Sequence, residues 1–275
     1  MVNVVDTTKP EITLLGSVSE TIEVDTSFTD AGYTVSDNYD SSLTVTVSGA
    51  VDTSTLGNYT IDYQTTDSQG NVADVKTRTL TVVDTQAPVM SIIGDLSQTI
   101  QVKSNYTEQG VSAIDNYDGN ISSSVNLTGT VDINAIGTYT IDYNVSDSSG
   151  NDAITITRIV VVEDTEAPVI ALAGNANVTL EADSPYSDAG ATVTDNYDTG
   201  LTANFDISSL DLSTIGVYTL TYTVSDSSGN AASPEYRTIT VVDTQAPTIT
   251  LVGNPTIDVQ AGTTYVDPGF TATDI

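Results

Sequence analysis

Carboxylates recur in this chain in sets that could grip a hard cation. The first set is Asp6, Asp37, Asn38, Asp40 and Asp67. The second is Asp84, Asp115, Asn116, Asp118 and Asp147, and the third Asp164, Asp195, Asn196, Asp198 and Asp226. Oxygen donors in that number suit Ca2+, which takes about 6–8 oxygens in flexible geometry. The chain has no His and no Cys, so zinc and copper lack their usual ligands. The same absence removes the common nucleophile–base pairs of covalent catalysis. Carboxylate pairs of the kind a glycosidase needs do exist, but every one repeats at a turn. No Gly-rich phosphate loop follows a strand and opens a helix. These residues point to cation binding and away from an enzyme.

The elements that must position these sets repeat as well. Asp-Thr-x-x-Pro occurs at Asp6–Pro10, Asp84–Pro88, Asp164–Pro168 and Asp243–Pro247, in steps of 78, 80 and 79 residues. A fixed interval of this length marks a tandem array of one small module. The spacing sets repeats over 6–83, 84–163 and 164–242. Residues 1–5 read as the end of a preceding repeat, and 243–275 as the N-terminal part of a fourth that cannot close a core alone. The expected architecture is all-β: immunoglobulin-like antiparallel sandwiches of about seven strands each, arranged as a rod. Polar–apolar alternation rich in Thr, Val, Ile and Tyr, broken by Gly, Asp, Asn and Ser, supports that reading. A ten-residue penultimate strand at about 3.3 Å per residue makes each module roughly 33 Å long.

The penultimate strand opens Gly-x-Tyr (Gly57, Gly137, Gly216), with Tyr59, Ile61 and Tyr63 on one face in the first repeat. It resembles the tyrosine corner of immunoglobulin-like domains, with Ile or Leu where antibody domains place a cysteine. The last strand alternates Leu80 and Val82 inward, as do Val160/Val162 and Ile239/Val241. Antiparallel topology then brings the linker Asp, the Asp-Asn-Tyr-Asp loop and the Asp-Ser-x-Gly-Asn turn to one pole, where a module meets the one before it. The same residues also read as turn chemistry alone, with Gly supplying positive φ and Asp an Asx-turn. That alternative leaves the recurring linker Asp unexplained. Arg78, Arg158 and Arg237 recur six residues before a boundary Asp and read as structural ion pairs at the sandwich rim.

Composition narrows the partners. With 37 acidic and 6 basic residues the net charge is −31, which excludes nucleic acid and anionic membrane. Without cysteine, disulfides cannot staple modules of about 80 residues, and a small module often gains stability from a metal or a neighbour. Trp is absent, and 12 of the 14 tyrosines fall at repeated positions, so an aromatic sugar platform is not visible.

Taken together, Asp-Thr-x-x-Pro, Asp-Asn-x-Asp, Gly-x-Tyr-Thr-Ile-x-Tyr and Asp-Ser-x-Gly-Asn resemble the Ig-like tandem repeats of bacterial surface proteins. More distantly they are similar to hyalin-type and cadherin-type repeats. The resemblance implies a non-catalytic extracellular or cell-surface stalk segment, adhesin-like and monomeric, whose partners are calcium and its own neighbouring repeats. Cadherin-type repeats bind calcium between modules; that ligand set carries over only in kind. The alternative is a carbohydrate- or protein-binding accessory module of a secreted hydrolase or adhesin.

Overall fold

A computed structural model describes residues 1–274. Ile275, which closes the fourth segment, lies outside the described residues. The first repeat carries β1 (Glu11–Leu14), β2 (Ser19–Glu23), β3 (Tyr33–Ser36), β4 (Thr46–Ser48), β5 (Gly57–Gln64) and β6 (Lys76–Val83). The second carries β7 (Val89–Ile92), β8 (Ser97–Gln101), β9 (Val111–Asp115), β10 (Gly119–Asn120), β11 (Asn126–Thr128), β12 (Gly137–Asn144) and β13 (Ile156–Glu163). The third carries β14 (Val169–Leu172), β15 (Asn177–Glu181), β16 (Ala191–Thr194), β17 (Asn204–Phe205), β18 (Gly216–Thr223) and β19 (Glu235–Val242). A final ribbon pairs β20 (Thr248–Leu251) with β21 (Phe270–Thr273), its apolar side chains exposed.

Each repeat is a two-sheet sandwich. In the first, β1 pairs with β3 while β2-β6-β5-β4 form the facing sheet; the third repeats this as β14-β16 and β15-β19-β18-β17. One pairing departs from the all-antiparallel expectation: β2 runs parallel to β6, and β15 to β19. The first apolar stretch breaks at Gly16 (φ 71) or Gly174 (φ 74), and the chain crosses from one sheet to the other there. The penultimate strand has eight residues rather than ten. Thr65 and Thr66 leave the ladder, and Thr66 bridges to Val72 across the turn.

Inward alternation fills the core. Leu80 and Val82, Val160 and Val162, and Ile239 and Val241 are all buried, as are Tyr63, Tyr143 and Tyr222. The Tyr59 hydroxyl donates to the Thr55 carbonyl (2.8 Å), and Tyr218 to Thr214 (2.9 Å), which is the tyrosine corner the sequence resembles.

The three arginines sit in the interior instead of at the rim, with 1%, 0% and 1% of Arg78, Arg158 and Arg237 exposed. Arg78 pairs with Asp30 (2.9 Å), Arg158 with Glu108 (3.3 Å) and Arg237 with Asp188 (2.5 Å). Arg78 also donates to the carbonyls of Leu15 and Gly32, holding the crossover to the start of β3. Backbone carbonyls and a carboxylate meet part of each guanidinium and offset much of the cost of its burial, although Arg158 Nη1 has no hydrogen-bond partner. Each acid also accepts a buried tyrosine hydroxyl: Tyr63 to Asp30, Tyr143 to Glu108 and Tyr222 to Asp188 (2.5, 2.5 and 2.7 Å). Burial, then the Glu108 carboxylate, push the Tyr143 hydroxyl up to about 12.

The residues gather into two compact units. One comprises Met1–Gln98, Thr107–Val131 and Tyr139–Val160, the other Thr99–Tyr106, Asp132–Thr138 and Val161–Ile275. The meeting of the first and second repeats falls within the former, and that of the second and third within the latter.

Candidate metal centre

At the start of each repeat the linker Asp, the first loop Asp and the turn Asp come together. Asp6, Asp37 and Asp67 each bring a carboxylate oxygen to within 4.8 Å of the other two. Asp84, Asp115 and Asp147 do the same, as do Asp164, Asp195 and Asp226. The second trio is buried throughout.

Local backbone explains how each Asp is aimed. Asp67 ends the short connection after β5 and folds over its own turn, accepting the N–H groups of Gln69 (3.0 Å) and Asn71 (2.7 Å). Gly70 supplies the positive φ of 89° that closes it. Burial raises the Asp67 carboxyl, but the Asn71 side chain and the backbone N–H groups of Asn71, Gln69 and Gly70 outweigh it and hold it below the usual range. Asp147 and Asp226 are lowered in the same way by Asn151 and Asn230 against burial. Asp37 caps its loop through Oδ2, which accepts the N–H groups of Tyr39 (2.9 Å) and Asp40 (3.0 Å). Asp115 and Asp195 use Oδ2 identically.

What remains is the second oxygen of two members of each trio. Asp6 Oδ2 and Asp37 Oδ1, Asp84 Oδ2 and Asp115 Oδ1, and Asp164 Oδ2 and Asp195 Oδ1 are buried with no hydrogen-bond partner. Asp84, Asp115 and Asp164 are 7%, 5% and 5% exposed. Unpaired buried carboxylate oxygens are costly unless a cation meets them. The donors are all oxygen, which fits Ca2+ or another hard divalent ion.

The remaining expected residues divide. Asp40 stands outside the trio and clamps the turn, accepting the N–H (2.8 Å) and hydroxyl (3.0 Å) of Ser68; Asp118 and Asp198 do so for Ser148 and Ser227. Asn38 donates to Asp6 Oδ1 (3.2 Å), and Asn196 Oδ1 is a further unpartnered buried oxygen. Asn116 is exposed.

Two sets of residues that sequence reasoning missed complete the pole. Asn71, Asn151 and Asn230 donate to the carbonyls of Asp6, Asp84 and Asp164 (3.2, 3.2 and 3.0 Å), so each turn also holds the linker. From the preceding repeat, Glu23 accepts the N–H and hydroxyl of Thr85 (2.9 and 2.8 Å), Gln101 those of Thr165 (2.9 and 2.6 Å), and Glu181 those of Thr244. The signal was available, since Glu23, Gln101 and Glu181 each lie thirteen residues past a boundary Pro. The loop tyrosine meets the preceding repeat too: Tyr117 packs against Val24, Leu80 and Val82. Tyr39, the equivalent residue of the first repeat, is 69% exposed.

The family model described as "Bacterial surface protein, Ig-like domain" matches residues 12–82, 90–162 and 170–241. Hyalin of Strongylocentrotus purpuratus is 31% identical over 267 residues, covering 91% of this chain and 22% of that protein. Hyalin of Lytechinus variegatus is 29% identical over 298 residues, covering 98% of this chain and 54% of its own length. The chain thus spans between about a fifth and about half of these relatives. The solved structure of Drosophila N-cadherin EC1-4 aligns over 86% of this chain and 76% of that one, at 9% identity and a TM-score of 0.28. A likeness that loose carries no argument about this chain. With its repeats matched in turn over most of its length, the chain belongs to the bacterial surface protein Ig-like domain family.

Proposed function

We propose that this chain is a non-catalytic extracellular spacer segment of a bacterial surface or secreted protein, adhesin-like in role, whose repeats are stiffened by Ca2+ where they meet. One observation carries the metal reading: in all three repeats the same two carboxylates leave one oxygen each buried and unpartnered beside a third. Turn chemistry accounts for the other oxygens of the loop and turn Asp but gives these none. A cation bridging the trio would tie the linker to the loop and turn that follow it, while Thr85 or Thr165 ties the same linker to the repeat before. Membership of a surface-protein family supports the extracellular setting, and hyalin-like sequence supports an adhesive one.

Isothermal titration calorimetry of the full chain with CaCl2, after EGTA and desalting, tests this. The expected result is binding at three sites, lost one at a time in Asp37→Ala, Asp115→Ala and Asp195→Ala. No heat and no calcium-dependent rise in Tm would leave the trios as turns and the chain as a plain acidic spacer.

A further inference from the structure

The turn after the second strand of each repeat places one residue in left-handed backbone: Asp25 (φ 60), Lys103 (φ 62) and Asp183 (φ 59). Their N–H groups donate to equivalent carbonyls, those of Thr53, Ile133 and Leu212 (2.8, 2.7 and 2.8 Å). They are therefore the same position, and two residues earlier stand Glu23, Gln101 and Glu181. The first member of each pair holds the linker of the next repeat, and the charges of the pairs differ. Glu23 brings a negative charge against the linker that Asp84 opens, where it accepts from Thr85, and Asp25 puts a second in the same turn. Gln101 and Lys103 instead bring a neutral amide and an ammonium beside Asp164, Asp195, Asp198 and Asp226.

The contacts follow the charges. Gln101 Nε2 donates to Asp164 Oδ1 (2.8 Å), a bond no carboxylate could make. Lys103 Nζ donates to the Asn196 carbonyl (2.5 Å) and lies 5.7 Å from the Tyr197 ring centroid. At the earlier junction Glu23 can only accept, from Thr85, and Tyr117 supplies the apolar contact. Without a cation that junction sets the Glu23 carboxylate against the linker of the clustered Asp84, Asp115 and Asp147, with no cationic side chain among the described residues to offset their mutual repulsion, which opposes docking.

We propose that the two junctions answer to divalent cation differently. The junction led by Asp164 stays docked in its absence, held by Gln101 and Lys103. The junction led by Asp84 docks only when a cation neutralises its carboxylates. This rests on reading the trios as cation sites, and it gives the chain one fixed joint and one calcium-set joint.

The chain has no cysteine of its own, so paired nitroxide labels can be placed on exposed residues of the full chain. Ser27→Cys with Asn126→Cys reports the first junction, and Asn105→Cys with Asn204→Cys the second. Distance distributions are then measured by double electron–electron resonance in EGTA and in millimolar CaCl2. In EGTA the first pair should give a broad distribution and the second a narrow one; calcium should narrow the first and leave the second unchanged. Gln101→Glu with Lys103→Asp should cost the second pair its narrow peak in EGTA and let calcium restore it. Equal widths for the two pairs in EGTA, or a charge swap without effect, would overturn the proposal. A first pair that stays broad in calcium, with the second narrow throughout, would instead refute the cation reading while the metal-free difference stands.

Discussion

Replacing Asp115 by Asn should raise the melting temperature without calcium and remove the response to calcium. Asp84, Asp115 and Asp147 each bring one carboxylate oxygen to within 4.8 Å of the other two. At that distance each pair of charges repels by about 0.9 kcal/mol at the dielectric of water and about 3.5 kcal/mol at an effective dielectric near 20. Asp115 takes part in two such pairs, so neutralising it relieves at least about 2 kcal/mol. The loop itself survives, because the remaining oxygen can still accept the N–H groups of Tyr117 and Asp118 (2.9 and 3.0 Å). The new amide faces the unpartnered Asp84 Oδ2 and can donate to it. For a module of this size about 1 kcal/mol moves Tm by roughly 4–8 °C, so Asp115→Asn should melt about 8–16 °C higher than the parent in EGTA. Calcium at a hundred times Kd adds about 2.7 kcal/mol to the parent's second repeat and little to the variant's. Differential scanning calorimetry of both proteins, with and without calcium, should therefore show calcium raising the parent's Tm and leaving the variant's nearly unchanged. A variant that melts lower than the parent in EGTA would show that Asp115 serves its turn and nothing else. One that keeps the full calcium response would remove it from the site.

Other perturbations address the frame that holds the site. Arg158→Ala strands Glu108 next to a fully buried gap and should cost about 3–5 kcal/mol by urea denaturation. Tyr222→Phe removes a hydroxyl donated to the ionised Asp188 at 2.7 Å and should cost about 1.5–3 kcal/mol in the same assay. Burial raises the Asp188 carboxyl, but Tyr186, Tyr222, the Gly190 N–H and Arg237 bring it down to about 2. It therefore stays ionised when folded at pH values where the unfolded chain takes up the proton. Its stabilisation is complete above about pH 4 and lost as pH falls toward 2, a loss that Asp188→Asn should remove from an acid titration followed by circular dichroism. Gly129→Ala drives a methyl into the Thr140 carbonyl at a φ of 101° and should lower Tm in calcium and EGTA alike.

Much of this was legible in the sequence because it is repeated. The interval between Asp-Thr-x-x-Pro motifs gave the module, and period-2 alternation gave the inward faces of the last strand at Leu80 and Val82. Topology alone then placed Asp6, Asp37 and Asp67 at one pole, since an antiparallel sandwich puts every second connection there. The acids Asp30, Glu108 and Asp188 were hidden for a different reason. They lie on the crossover side of the fold, and a carboxylate in a stretch such as Ser27–Ala31 looks like any surface loop until the buried arginine is seen to reach it. The role of Asp40 could not be separated from that of Asp37 either. Three residues apart in one loop, they carry the same chemistry, and only the path of the backbone decides which faces the trio and which faces Ser68.

The parallel pairing of β2 with β6 has a mechanical consequence. In the register Ser19↔Thr79 to Glu23↔Val83, the chain enters this pair from the strand nearest its N-terminal linker and leaves it through the C-terminal one. Tension that reaches β2 from its N-terminal end and β6 from its C-terminal end pulls these strands in opposite directions along their own axes. Their hydrogen bonds are then loaded together in shear, where antiparallel neighbours pulled from one end would open one bond at a time. The third repeat holds β15 and β19 in the same register, Asn177↔Thr238 to Glu181↔Val242. Each of these two ladders therefore resists such a pull as one unit, five residue pairs long.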